Sequence, residues 1–291
     1  MQHTTVNING QIASGDKATI PVLDHGFLFG EGVYETLRTY HGKPFLLERH
    51  LDRLNSSADS IGLSSSFSDS EIREQITKTI AAATSESEYY IRILLTRGTG
   101  ELSYDPAPCK KPTTVIIVKP HLDGGPQEMS GGIHVIVSSV IRNHPRALNP
   151  LIKSNNLLNS ALAMQEALRN GATEALMLNH RGEIAECAQA NYFLVHNGEA
   201  LTPSLASGLL EGVTRNFLFE VGLSVGITVR ETVLRESDLA TAEEMFITST
   251  TREVLPITSL DDKLVNGGNP GPVTKKLSKA FRLRALELSK P

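Results

Sequence analysis

The chain has 291 residues, enough for one large or two ordinary domains with real cores, and its 40% hydrophobic and 21% charged content is that of a globular protein. A net charge of −4 without any lysine/arginine cluster argues against nucleic acid as the main partner. Two cysteines, Cys109 and Cys187, cannot build a disulfide framework, no run approaches the roughly 18 apolar residues of a membrane span, and the N-terminus MQHTTVNING lacks an apolar signal core, so the expected setting is the cytoplasm.

In chain order, Thr4 to Ile12 alternates around Asn9-Gly10, a hairpin signature. The glycine-rich stretch Leu23 to Gly32, LDHGFLFGEG, lacks a full GxGxxG and leads into a strand rather than a helix, which argues against a dinucleotide loop. Val33 to Tyr40 reads as that strand, with Tyr34, Thr36 and Arg38 on one face and Val33, Glu35 and Leu37 on the other. After the His41-Gly42 turn a helix is predicted from about Glu48, its buried stripe formed by Leu47, Leu51, Leu54, Ala58 and Ile61. It carries HLDRL, His50 to Leu54. A second helix opens on the capping box Ser68 to Glu71, and strands follow at Tyr89–Thr96 and Thr113–Lys119, with a turn at Arg97 to Gly100.

Residues 120–132, PHLDGGPQEMSGG, hold four glycines and two prolines and mark the best domain boundary, giving a small domain 1–119 and a large domain 133–291. Beyond it, strands are predicted near Ile133–Val140, Glu174–Asn179, Asn191–Val195, Ile227–Val233 and Glu244–Thr248, and helices near 154–169, 212–222, 237–242 and 272–288. Helices and strands in both halves point to a two-domain α+β fold. Lys153 stands out at the start of the first of these helices. Pro150, Leu151 and Ile152 precede it, and Ser154 and Asn155 both offer caps for a helix that stops at Asn170-Gly171. An amine so placed is held by backbone at both ends. Desolvation there lowers a lysine pKa from about 10.4 and favours the neutral, nucleophilic form that makes a Schiff base.

Four segments in order, IKSNNLL, ECAQANYF (Glu186 to Phe193), LLEGVTR (Leu209 to Arg215) and TSTTREVLPI (Thr248 to Ile257), resemble the fold-type IV pyridoxal-phosphate enzymes. That group holds branched-chain aminotransferases, D-amino-acid aminotransferases and aminodeoxychorismate lyases, and the resemblance runs from about Asn7 to the last helix. It implies an α+β fold of mixed, mostly antiparallel sheets with flanking helices, and pyridoxal 5′-phosphate (PLP) as cofactor. It makes Lys153 the catalytic amine and proton carrier, and Glu186 the carboxylate facing the pyridine nitrogen, with Glu183 a nearby alternative. Arg53, from an HxxR pattern, would bind the phosphate; Arg49 falls off the pattern. The helix start at Gly212, Val213 and Thr214 and the donors of Ser249 and Thr250 would complete the cradle, Leu210 would pack on the ring, and Asn191 would orient local backbone.

For substrate, the resemblance is to the branched-chain members. Tyr90 would hold the α-carboxylate with N–H groups at Thr250 and Thr251. Arg92 would take a second carboxylate, Arg38 matches another arginine of that subgroup, and Phe29 and Tyr34 would be aromatic walls. Thr36 stands where those enzymes have glycine. The familiar D-amino-acid enzymes carry an arginine and a histidine just after the RGT turn, where this chain has Leu102 and Tyr104. The implied activity is amino transfer between a branched-chain L-amino acid and 2-oxoglutarate. The alternatives are a lyase giving 4-aminobenzoate and pyruvate, and a transaminase of D-amino acids or primary amines. Implied partners are small amino and oxo acids, with no nucleic acid or membrane. The resemblance also implies a homodimer or higher homo-oligomer in which the loop from Arg97 to Pro108 reaches a neighbouring subunit.

Overall fold

The computed structural model describes residues 3–65, 67–83, 88–121 and 131–290. Most of the predicted linker, residues 122–130, lies outside the described residues. The chain divides into two compact units. One comprises Met1–Leu122, Ile152–Asn156 and Ser289–Pro291; the other comprises Asp123–Leu151 and Leu157–Leu288. The division is therefore not a single cut in the sequence, because the segment with Lys153 belongs to the first unit.

The first unit contains β1 (Thr5–Ile8), β2 (Gln11–Ser14), α1 (His25–Leu28), β3 (Gly32–Tyr40), β4 (Lys43–Pro44), α2 (Leu47–Ser60), α3 (Asp69–Ala81), β5 (Tyr89–Thr96) and β6 (Thr113–Pro120). Its antiparallel sheet runs β2-β1-β6-β5-β3-β4. Asn9-Gly10 makes the first hairpin, with Ile8 opposite Gln11, and the Ser68 capping box starts α3. Alternation does the folding here. Val33 and Leu37 from β3, Ile91, Ile93 and Leu95 from β5, and Ile116 and Val118 from β6 share one face, onto which α2 lays Leu51, Leu54 and Ala58 and α3 lays Ile72 and Ile76. Leu47 and Ile61 pack on the margin of this core.

The second unit contains β7 (Ile133–Val137), α4 (Leu158–Arg169), β8 (Glu174–Leu178), β9 (Ile184–Cys187), β10 (Asn191–His196), β11 (Glu199–Pro203), α5 (Val213–Ser224), β12 (Val229–Thr232), α6 (Glu236–Leu239), β13 (Glu244–Ser249), β14 (Glu253–Leu260), β15 (Lys263–Leu264) and α7 (Pro272–Leu288). The sheet order is β12-β11-β10-β13-β14-β7-β8-β9, with β15 on β14. Pairs β11·β12, β14·β7 and β7·β8 are parallel and the rest antiparallel, so the sheet is mixed. β7 stops at Val137, before its predicted end, because Glu166 on α4 takes the Ser139 N–H at 3.0 Å. Among the described residues no helix is long and apolar enough to cross a membrane.

One expectation fails in an informative way. The helix predicted from residue 154 begins at Leu158, and neither Ser154 nor Asn155 caps it. Both residues are instead drawn into extended pairing with the start of β3. Ser154 bridges Val33, and Asn155 N–H donates to the Gly32 carbonyl at 2.9 Å. Gly32 allows this approach: a Cβ there would lie 2.6 Å from Asn155 Nδ2 and from the Leu95 carbonyl.

Candidate active site

Lys153 lies on that extended segment, and both of its peptide groups are engaged. Its N–H donates to Ser57 Oγ of α2 at 3.1 Å, and its carbonyl accepts from Tyr34 N–H at 2.9 Å. The half-buried side chain places Nζ 4.6 Å from the Tyr34 ring centroid. Arg92 comes to the same ring, its guanidinium carbon 4.0 Å from the centroid. Cross-strand register explains the meeting. Thr36 faces Arg92 and Arg38 faces Tyr90 across β3 and β5, so the four residues share one side of the sheet. Burial raises the Tyr34 pKa, with Arg92 opposing, so the phenol stays protonated. Arg38 is buried with its guanidinium over the Tyr40 ring at 4.3 Å. Lys119 Nζ lies 4.8 Å from the Tyr90 ring, and Phe29 packs between His25 and Tyr104.

On the opposite side of β3, Glu35 is buried between Val33 and Leu37, where a lone carboxylate would be prohibitively unstable. Two side chains from α2 meet it. Arg53 donates Nε and Nη2 at 2.6 and 2.8 Å in a paired geometry, and His50 Nδ1 lies 2.7 Å away. Burial pushes the Glu35 pKa up, but Arg53 and His50 outweigh it and hold the carboxyl far below its usual range. Burial likewise depresses His50, with Glu35 opposing. Both ends of the HxxR pattern are thus fixed by one carboxylate.

In the second unit Glu186 sits on β9, nearly buried. Its Oε1 accepts from Arg142 Nε at 2.7 Å, and its Oε2 from Leu210 N–H at 3.1 Å and Asn191 Nδ2 at 3.4 Å. Glu183, the competing carboxylate, is occupied by Asn179 and Arg181. Asn191 donates more closely to the Leu210 carbonyl, at 2.8 Å, which ties the start of β10 to the segment entering α5. Gly212 caps α5 with no side-chain hydrogen bond, so the N–H groups of its first turn are presented at the helix end. A Cβ on Gly212 would lie 1.9 Å from Asn191 Oδ1. Asn191 also stands opposite Thr248 at the end of β13, which brings the turn of Ser249, Thr250 and Thr251 beside the same asparagine. The start of α5 and this turn therefore both lie next to Asn191.

A family model described as amino-transferase class IV matches residues 32–260. A putative branched-chain-amino-acid aminotransferase of Methanocaldococcus jannaschii is 37% identical over 277 residues, 95% of each chain. A D-alanine aminotransferase of Listeria monocytogenes is 34% identical over 95% of this chain and 94% of its own. Among solved structures, the branched-chain amino acid aminotransferase from Escherichia coli aligns at TM-score 0.90 with 30% identity, over 99% of this chain and 96% of that one. This chain belongs to the class IV aminotransferases.

Class IV aminotransferases use PLP, and this aminotransferase is a PLP-dependent transaminase of the fold-type IV architecture. Each unit carries residues that suit such a group: the first an amine on a doubly held backbone and an arginine that fits a phosphate, the second a carboxylate that fits a pyridinium and a helix start that fits a phosphate. Sequence reasoning missed Arg142, Glu35 and Ser57. Glu35 left a signal, a charge alternating with Val33 and Leu37 on a core face. Arg142 and Ser57 left none, because their partners lie 44 and 96 residues away.

Proposed function

We propose that this aminotransferase moves an amino group between a branched-chain L-amino acid and 2-oxoglutarate in a two-half, ping-pong cycle. The observation that carries the reading is the Tyr34 ring shared by Arg92 and Lys153, which sets a cation for a second carboxylate one aromatic ring from the reactive amine. PLP, when bound, supplies an aldehyde for the amino group and a ring that takes up the electron pair left on the substrate α-carbon. Lys153 anchors the cofactor and, once displaced, moves the proton at the α-carbon. Glu186 keeps the pyridine nitrogen protonated, and Arg142 keeps Glu186 in place. Arg53, the N–H groups of Gly212, Val213 and Thr214, and the donors of Ser249 and Thr250 bind the phosphate. Leu210 packs on the ring, and Asn191 holds Leu210.

Tyr90 and the Thr250 and Thr251 N–H groups take the substrate α-carboxylate and Arg92 a second carboxylate, while Phe29, Tyr34, Thr36 and Arg38 shape the substrate pocket. We assign residues 1–119 to a small domain and 133–291, apart from Ile152–Asn156 and Ser289–Pro291, to the large cofactor-binding one, joined by 120–132. The exposed Leu102 and Tyr104 support a homodimer in which this loop is covered by a second subunit. Two free cysteines suit the reducing cytoplasm. The identity to a D-alanine aminotransferase supports a second reading, D-amino acid transamination; Leu102 and Tyr104 in place of an arginine and a histidine weigh against it.

The test is an amino-donor screen of the purified enzyme with 2-oxoglutarate, using both enantiomers of leucine, valine and alanine. Glutamate from L-leucine and L-valine is the expected result. Glutamate from D-alanine alone would overturn the L-specific reading, and pyruvate released from aminodeoxychorismate without an oxo acid would replace it with a lyase.

A further inference from the structure

The turn between β13 and β14 carries an arrangement that neither phosphate nor substrate binding requires by itself. Arg252 folds back over the turn, and its backbone N–H and Nε both donate to Ser249 Oγ, at 3.3 and 3.4 Å. A hydroxyl oxygen has two lone pairs and one proton. With both acceptor sites engaged by Arg252, the remaining capacity of Ser249 is to donate. The far end of Arg252 is fixed as well: Nη2 donates to Glu174 Oε2 at 2.7 Å. Glu174 lies on β8 with no exposure, and its other oxygen accepts from Ala175 N–H at 3.1 Å. A fully buried carboxylate thus braces an arginine that is about one quarter exposed, and the arginine braces a half-buried serine.

We propose that Arg252, held by Glu174, is a positioning residue that locks Ser249 as a hydrogen-bond donor and sets the Ser249–Thr251 turn for the phosphate of PLP. The proposal rests on the reading above that this turn contacts that phosphate. Arg252 acts through Ser249 and the backbone. Its charge is neutralised by Glu174. The chemistry selected is a hydrogen-bond acceptor, as each phosphate oxygen is: a donor that cannot reverse its role rejects other donors.

The discriminating measurement compares two aldehydes, PLP and pyridoxal, which differ only in the phosphate. Apoenzyme is titrated with each, in wild type and in the paired variant Arg252→Gln/Glu174→Gln, which removes both charges and strands neither in the interior. The paired variant is expected to bind PLP about tenfold more weakly while its pyridoxal affinity stays within about twofold. Ser249→Ala, at a half-buried position that leaves the buried ion pair intact, should give the same selective loss and add little when combined with the paired variant. Equal weakening for both aldehydes, or full additivity with Ser249→Ala, would overturn the positioning role. A wild-type enzyme that binds both aldehydes equally would overturn the phosphate reading of the turn, and the proposal with it.

Discussion

Glu35→Gln tests how Arg53 is held. The native carboxylate has no exposure and receives Arg53 at 2.6 and 2.8 Å and His50 at 2.7 Å. Glutamine accepts through one oxygen and turns its NH2 toward a guanidinium or an imidazole, so at least one bond becomes donor against donor. Breaking a buried pair from one side costs about 3–5 kcal/mol. Arg53 keeps a little exposure through which water recovers part of that, which puts the expected loss near 3 kcal/mol at pH 7. At about 2–4 °C per kcal/mol, the apparent melting temperature of the apoenzyme should fall by about 6–12 °C.

The pH dependence gives the argument a sign. A carboxyl held below its ordinary value of 4.5 contributes stability that is complete above that value and is lost as pH falls below it. Below pH 4.5 the wild type should therefore lose about 1.4 kcal/mol per pH unit from this group, and the gap to Glu35→Gln should narrow. His50 acts at higher pH. Its lowered pKa makes the native state lose stability as pH falls through 6.5, and removing Glu35, which opposes that lowering, steepens the loss in the variant. The gap is thus expected to widen as pH falls through 6.5 and to shrink once Glu35 titrates below 4.5. Calorimetry at pH 7, 5 and 3.5 measures it. A drop of less than about 2 °C at pH 7, or a gap that does not shrink below pH 4.5, would refute the ion-pair account.

Lys153→Ala should abolish the visible absorbance of protein-bound PLP and lower turnover by at least ~10³-fold; a native spectrum in that variant would remove this lysine from the mechanism. Gly212→Ala places a Cβ 1.9 Å from an Asn191 oxygen whose amide is already tied to Leu210, so we expect about 1–3 kcal/mol of destabilisation and roughly tenfold weaker PLP binding. Melting and PLP titration check it, and unchanged values for both would show that the α5 start adapts without loss.

How far the sequence reads depends on whether the signal is local. Alternation in VYETLRTY assigns Glu35 to the face of Val33 and Leu37, and the structure places it there. The Ser68 capping box and the stripe of α2 are equally local and equally visible. Ser154 and Asn155 mislead for the same reason: their capping chemistry is local, whereas the Gly32 backbone that claims Asn155 is far away in the chain. β14 escapes prediction because seven of its eight residues are buried, leaving no alternation to read. The motifs nominate Lys153, Glu186 and Arg53. They carry no information about Ser57, Arg142 or the role of Glu35, each of which depends on a neighbour brought in by tertiary structure.

The partners that sequence misses share a logic. Glu35 with Arg53, Glu186 with Arg142, and Glu174 with Arg252 each join a buried or nearly buried carboxylate to an arginine, across 18, 44 and 78 residues of chain. Buried pairs of this kind contribute little net stability, since apolar replacements of similar volume are often neutral or better. Their value lies in position. An arginine or carboxylate free in solvent samples many rotamers and must be ordered when an anion or a pyridinium arrives; one already clamped in the interior loses less on binding and reorganises less during reaction. In this aminotransferase the three pairs stand at the helix proposed to give a phosphate ligand, at the carboxylate proposed to face the ring nitrogen, and beneath the turn proposed to close on the phosphate. Stability alone gives no reason to bury a charge at all three places, whereas preorganisation for a doubly charged cofactor does.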